Sequence, residues 1–138
     1  MSKGYEGTMV TVSATSLQEA LERLEMMVKM NDPNLPIPYL RSLIASAANL
    51  VVQQNRLEDG TRKVVRITEV LPARGSDYDL HDVFIFQRRG MEEGRVIGQF
   101  EGHPASPGLI QRMGSRGITL PPSLVATEQV EEPAVTTV

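Results

Sequence analysis

The chain has 138 residues, of which 41% are hydrophobic and 22% are charged, with a net charge of −3 and no cysteine. This composition is ordinary for one soluble globular domain, and it excludes disulfides, thiolate chemistry and cysteine-ligated metals. No basic block gives the chain the electrostatic footprint of a nucleic-acid-binding protein, and no apolar run approaches the ~20 residues of a membrane helix.

The first patterned stretch lies close to the start of the chain. Gly4 and Gly7 bracket a predicted turn, and the β-branched residues that follow predict a strand over Met9–Thr15. Ser16 then opens a helix. An apolar strand that leads directly into an amphipathic helix indicates the interior of a domain, so we expect the chain to begin within a larger fold.

The first helix has the clearest local signals. Ser16 and Glu19 have the spacing of a capping box. Glu19 with Arg23, and Glu25 with Lys29, have the i,i+4 spacing of ion pairs on the solvent face. Helical spacing predicts one buried apolar stripe, made of Leu17, Ala20, Leu21, Leu24, Met27 and Val28.

The methionines of this helix allow two interpretations. Met26, Met27 and Met30 could form an adaptable surface for a partner, because the thioether side chain is flexible and polarizable. They could equally fill gaps in the core, which is the more frequent use of methionine. The sequence favours the core.

Asn31 to Pro33 end the first helix, and a second helix follows with Pro38 in its first turn, where the missing N–H has no cost. Its predicted buried stripe consists of Leu40, Leu43, Ile44 and Ala47.

A run of strands follows the two helices, with a turn at Asp59-Gly60 and a polar loop over Ala73–Asp79. The predicted strands are Leu50–Arg56, Thr61–Val70, Leu80–Arg88 and Arg95–Phe100. The apolar residues Leu50 to Val52 predict a buried strand, and residues 83–86 are apolar on both faces. The pattern is that of an antiparallel meander that closes a mixed sheet.

Ser106 and Pro107 are suited to the N-cap and first position of a short helix through Met113. Residues from 126 onward are polar and acidic without periodicity. The predicted organisation is therefore an ordered α/β portion over residues 1–125 and a disordered acidic tail over 126–138.

The residues alone indicate no self-sufficient active site. There is no GxxxxGK[ST] phosphate loop, and His81 and His103 have no metal-ligand pattern around them. His81 is predicted to face solvent. Arg23 and Arg56 are weak candidates for contacting phosphate oxygens, although surface ion pairing explains each of them more simply.

Most of the chain, from Met1 to about Leu124, resembles the C-terminal end of the type II/IV secretion ATPases, which are hexameric RecA-like motors. The closest resemblance is to the CpaF type, which drives Flp (tight-adherence) pili. The segments that carry it, in the family's order, are Met1–Ser16, Ala20–Met27, Leu35–Ala47, Leu50–Val64, Ile67–Val70, Asp82–Phe86 and Gly117–Pro121. Each segment is short, and the specificity lies in their order and spacing.

The resemblance implies a C-terminal fragment of a RecA-like P-loop fold, with two helices, an antiparallel meander and a short C-terminal helix. The family binds ATP and Mg²⁺ through elements that precede the position of Met1, so we expect this segment to bind no cofactor or metal by itself. The implied partners are other secretion ATPase subunits and an inner-membrane platform protein. The implied location is the cytoplasm, peripheral to the inner membrane.

One catalytic element of the family, the histidine box, falls within the chain in altered form. The family's two histidines fall on Tyr5 and Ser13, and its asparagine falls on Thr15. Glu6, Gly7 and Ser16 are kept or conservatively exchanged. Neither replacement can donate and accept protons near neutral pH as imidazole does.

These observations predict a structural or assembly role within a secretion motor, without ATP hydrolysis by this chain alone. The alternative is a free-standing, non-catalytic interaction module that binds such a motor or its membrane platform. An unrelated α/β domain that converged on the same strings is a third hypothesis.

Overall fold

The computed structural model describes residues 7–74 and 76–125. From the first helix onward the element order is the predicted one, with two helices, four strands and a short helix, and a further single-turn helix follows. The elements are α1 (Leu17–Asn31), α2 (Ile37–Ala47), β1 (Leu50–Arg56), β2 (Arg62–Arg74), β3 (Asp77–Glu92), β4 (Arg95–Gly102), α3 (Pro107–Ser115) and α4 (Pro122–Val125).

The starts of α1 and α3 are set by local hydrogen bonds, as predicted. Ser16 Oγ accepts the N–H of Glu19 at 3.1 Å. The Glu19 carboxylate accepts the N–H of Thr15 rather than that of Ser16, so the reciprocal bond of the capping box lies one residue early. At the other end of the sheet, Ser106 Oγ accepts the N–H of Leu109 and caps α3.

The core lies where α1 and α2 pack together and against the sheet. It is built from Leu17, Leu21, Leu40 and Ile44, and Leu40 is fully buried. Val51 of β1 packs against this cluster from the sheet side. The helix pair therefore covers one face of the sheet, which gives a two-layer arrangement of helices on an antiparallel sheet.

The four strands form one sheet in the order β1-β2-β3-β4, and all three neighbouring pairs are antiparallel. The meander is confirmed, whereas no parallel pair of a mixed sheet occurs among the described residues. The predicted turn joins β1 to β2, where Gly60 adopts a φ of 82° that favours glycine.

The predicted strand over Met9–Thr15 is wrong. Residues 8–14 have no regular secondary structure, and Met9 is 93% exposed. High β propensity produces a strand only when a neighbouring strand supplies the hydrogen bonds, and no described strand lies beside this segment.

The prediction of a buried first strand is also wrong. β1 is an edge strand, and its outward-facing Leu50 and Val52 are 45% and 58% exposed. Only the alternate residues of β1 face the helix layer. An apolar run is compatible with a half-exposed edge strand, so the sequence pattern could not distinguish the two.

The predicted polar loop over Ala73–Asp79 is much shorter in the structure. β2 continues to Arg74 and β3 begins at Asp77, with these two residues opposite each other in the sheet. An irregularity in register between Leu71 and Arg74 allows this close turn. Polar composition alone does not end a strand when its backbone hydrogen bonds can continue.

Among the described residues, none of the helices is both long enough and apolar enough to cross a membrane.

Gly98 tests the packing between β3 and β4. A Cβ at this position would lie 2.6 Å from Phe86 Cζ and would also overlap the carbonyl oxygen of Gln87. We expect Gly98→Ala to reduce the free energy of unfolding by about 1–3 kcal/mol through overpacking. Urea denaturation measures the change.

Gly90→Ala is the matched control, because a Cβ there would meet only Ile97 Cγ1, at 4.0 Å. It should be neutral or slightly stabilising. Equal stability of the two variants would contradict the described packing of Phe86.

Candidate functional site

Two of the expected site residues converge on the carboxylate of Glu19 at the start of α1. The Thr15 hydroxyl donates to Glu19 Oε2 at 2.6 Å, and the Thr15 N–H donates to the same oxygen at 2.7 Å. Arg23 donates to Glu19 Oε1 from Nη2 at 2.7 Å and from Nε at 3.0 Å. The structure thus joins a residue of the altered histidine box to one phosphate-contact candidate through the Glu19 carboxylate, in the first turns of α1.

The same contacts fix the protonation state of Glu19. Hydrogen bonds from the Thr15 hydroxyl and the Thr15 N–H, followed by Arg23, lower the pKa of this carboxyl from 4.5 to about 2. The carboxylate is therefore ionised at neutral pH. Because its pKa is far from neutral, Glu19 is poorly suited to general acid–base catalysis.

The remaining candidates do not join this group. Tyr5 and Glu6 lie outside the described residues, and Gly7 and Ser13 are exposed. Arg56 ends β1, and its Nε donates to the carbonyl of Gly60 at 3.3 Å. Within the described chain, no hydrogen bond or ion pair connects Arg56 with the Glu19 group.

An open groove of about 480 Å³ lies between the start of α1 and the sheet. Its polar lining consists of Ser16, Gln18, Gln53, Asn55 and Arg66. Arg66 Nη1 lies 3.3 Å from Asp82 Oδ2, and Ser16 is engaged by the helix cap. The groove therefore offers amide groups and one already paired cation, which is not a constellation for covalent or acid–base chemistry.

The hairpins β1–β2 and β3–β4 meet at their turns. Asp59 Oδ2 accepts the N–H of Val96 at 2.8 Å, and Glu58 pairs with Arg88 at 2.6 Å. Hydrogen bonds from the Thr61 hydroxyl and from the Val96 and Thr61 N–H groups lower the pKa of Asp59 to about 2. The carboxylate that joins the hairpins thus remains charged over the physiological range.

Sequence spacing missed a charged cluster centred on Arg41 of α2, in which Glu25 is buried and Asp77 is exposed. Arg41 Nε donates to Glu25 Oε1 at 2.8 Å, and its Nη1 donates to Asp77 Oδ1 at 2.6 Å. The predicted pair of Glu25 with Lys29 is therefore wrong. Glu25 is only 8% exposed and faces α2 instead of solvent. Its true partner lies 16 residues away, beyond the reach of a helical spacing rule.

Tyr78 completes this cluster. The Arg41 guanidinium lies 5.6 Å from the centre of its ring. The Tyr78 hydroxyl is buried and makes no hydrogen bond that meets normal geometry. Burial, and then the nearby Glu25 carboxylate, raise the pKa of this hydroxyl. The phenol is thus kept neutral, which disfavours a nucleophilic role.

A second buried carboxylate, Glu69 of β2, fixes α3 to the sheet. Glu69 is fully buried and accepts the hydroxyl of Ser106 at 2.6 Å and the N–H of Ser106 at 3.2 Å. His81 lies opposite Glu69 in the sheet, with its Nε2 2.6 Å from the carbonyl oxygen of Pro104. The prediction that His81 faces solvent is wrong, because the chain before α3 folds over it.

The methionines of α1 lie outside the core. Met26 is 66% exposed, Met27 55% and Met30 81%. The favoured interpretation as core gap-fillers is therefore wrong. Helical spacing placed Met27 on the apolar stripe, but α1 has its last buried residue at Glu25. We call Met26, Met27 and Met30 the methionine patch.

Within residues 7–74 and 76–125, no group of three or more histidine and acidic side chains is arranged to hold a metal ion. No protein-family model matches the chain, and no curated protein matches its sequence.

The Glu19 group gives a pH-dependent prediction. Its lowered pKa means that ionised Glu19 stabilises the fold above about pH 4.5, and that this contribution is lost as the pH falls towards about 2. We expect Glu19→Gln to be less stable than the wild type at pH 7. The difference in unfolding free energy should shrink between pH 4.5 and 2, as urea denaturation at several pH values would show.

Glu22→Gln is the control on the same helix, since Glu22 accepts a single hydrogen bond, from Gln18. The difference in unfolding free energy between Glu22→Gln and the wild type should change much less with pH. A wild-type advantage over Glu19→Gln that persists undiminished at pH 2 would contradict the role given to Thr15 and Arg23.

Proposed function

We propose that this chain is a non-catalytic, C-terminal part of a CpaF-type secretion motor, and that it contributes to the structure or assembly of the motor. It acts in the cytoplasm, peripheral to the inner membrane. The observation that carries the proposal is the methionine patch, an apolar surface presented on an ordered helix.

The patch has the properties of a contact surface. Apolar side chains clustered in the open on a folded domain are typical of sites where another macromolecule binds. Methionine suits such a site because its unbranched chain adapts to the shape of its partner. The short sequence segments that resemble the secretion ATPases, in the same order, indicate that the partner is another motor subunit.

The Glu19 group supports a role without catalysis. Thr15, which occupies a position of the family's histidine box, is held in the helix cap by Glu19. Arg23 is held by the same carboxylate, and Arg56 is bonded to the turn that follows β1. Each of these candidates therefore has a structural partner.

A second candidate function is a free-standing module that binds a motor or its membrane platform. The observation in its favour is that the described elements carry their own caps, turns and core. Circular dichroism on the chain expressed alone distinguishes the two. A cooperative thermal transition favours the module, whereas folding only on co-expression with a P-loop-bearing subunit favours an integral part of the motor.

Co-purification with a CpaF-type subunit that contains a P-loop tests the proposal. We expect the wild-type chain to be retained, and the triple variant M26Q/M27Q/M30Q to lose at least about tenfold in affinity, or ~1.4 kcal/mol. Glutamine keeps the length and helix propensity of methionine but removes the apolar surface.

Met91→Gln is the control, because Met91 is also exposed but lies in β3, outside α1. It should bind like the wild type. Absence of binding by the wild-type chain, or sustained ATP turnover by the isolated chain, would overturn the proposal.

A further inference from the structure

The methionine patch has a chemical property beyond its shape. The chain contains neither cysteine nor tryptophan, so its seven methionines carry the side chains most readily oxidised by peroxides. Met26, Met27 and Met30 lie within the last two turns of α1. Elsewhere among the described residues, Met9 and Met91 are 93% and 46% exposed but have no methionine near them in the sequence, and Met113 is half-buried.

We propose that the methionine patch is a reversible oxidation site. In the reaction, a thioether sulfur attacks one oxygen of hydrogen peroxide, the O–O bond breaks and an S–O bond forms. The sulfur loses two electrons, and the second oxygen leaves as water after proton transfer. A methionine sulfoxide reductase reverses the step, with a dithiol as the electron donor and water and a disulfide as products.

The position of the patch separates this modification from oxidative damage. The core is formed by Leu17, Leu21, Leu40 and Ile44, and no methionine of residues 7–74 and 76–125 belongs to it. A sulfoxide on Met26, Met27 or Met30 would therefore project into solvent and leave the core packing intact. Oxidation changes the chemistry of the surface without requiring the fold to open.

The consequence for binding follows from polarity. Each sulfoxide places a strong hydrogen-bond acceptor on a side chain that was apolar, and burying that oxygen without a donor is unfavourable. Three such changes in one patch would weaken any apolar contact made there. The effect of oxidation on binding rests on the proposed assembly function. The oxidation of the patch in the folded chain is independent of that function.

The first experiment measures the chemistry alone. The full chain is treated with hydrogen peroxide, the sulfoxide at each methionine is quantified by peptide mass spectrometry, and the thermal transition is followed by circular dichroism. We expect Met26, Met27 and Met30 to react severalfold faster than Met113, with little change in melting temperature. Unfolding in step with oxidation of the patch, or preferential oxidation of Met113, would overturn the inference.

The second experiment measures binding to the P-loop-bearing subunit. We expect peroxide to abolish retention of the wild-type chain, and the two methionine sulfoxide reductases with dithiothreitol to restore it. The variant M26L/M27L/M30L keeps the apolar volume and has no sulfur to oxidise there, so its binding should survive peroxide.

The control variant M9L/M91L retains the patch and should remain sensitive to peroxide. If M26L/M27L/M30L becomes equally sensitive, the site of action lies elsewhere and the inference fails. If the untreated wild type does not bind, the proposed function fails, and the first experiment still decides whether the patch is a reversible oxidation site.

Discussion

The ion pair between Arg41 and Glu25 is the contact on which the arrangement of the helix layer depends. Arg41 belongs to α2, Glu25 to α1, and the second acceptor of Arg41, Asp77, begins β3. One guanidinium therefore joins both helices to the sheet. Because Glu25 is almost fully buried, removing Arg41 would leave an uncompensated charge, which typically costs about 3–5 kcal/mol. Because the aliphatic core between the helices is small, the ion pair between Arg41 and Glu25 contributes strongly to the position of α1.

Local chemistry made the starts of α1 and α3 and the turn between β1 and β2 predictable. Ser16 and Ser106 cap helices because a hydroxyl next to an unpaired N–H finds its partner within three residues. Asp59-Gly60 turns the chain because Asp59 bonds to Thr61 and Gly60 tolerates a positive φ. These signals act over a few residues, so they are visible in the sequence without knowledge of the fold.

The candidate site was much less predictable, because its residues have partners that sequence spacing does not specify. The i,i+4 spacing pairs Glu25 with Lys29, and only the position of α2 shows that Glu25 accepts a hydrogen bond from Arg41 instead. Glu69 is in the same situation, since its partner Ser106 is 37 residues away. The segment over Met9–Thr15 has strand propensity, but a strand also needs a neighbour, and propensity carries no information about neighbours.

The exposure of the methionine patch could not be predicted for the same reason, because a local sequence pattern does not specify distant contacts. Helical periodicity identifies which residues share a face, but it does not say how far along the helix that face is covered. The buried residues of α1 end at Glu25, and the six residues from there to Asn31 extend about 9 Å at 1.5 Å per residue. The core beneath α1 ends before the helix does. A helix that extends past its own core presents side chains on a rigid backbone without any cost to the packing behind them. The chain places methionines at this position, so the most adaptable and most oxidisable of its apolar side chains lie where a partner and an oxidant can both reach them.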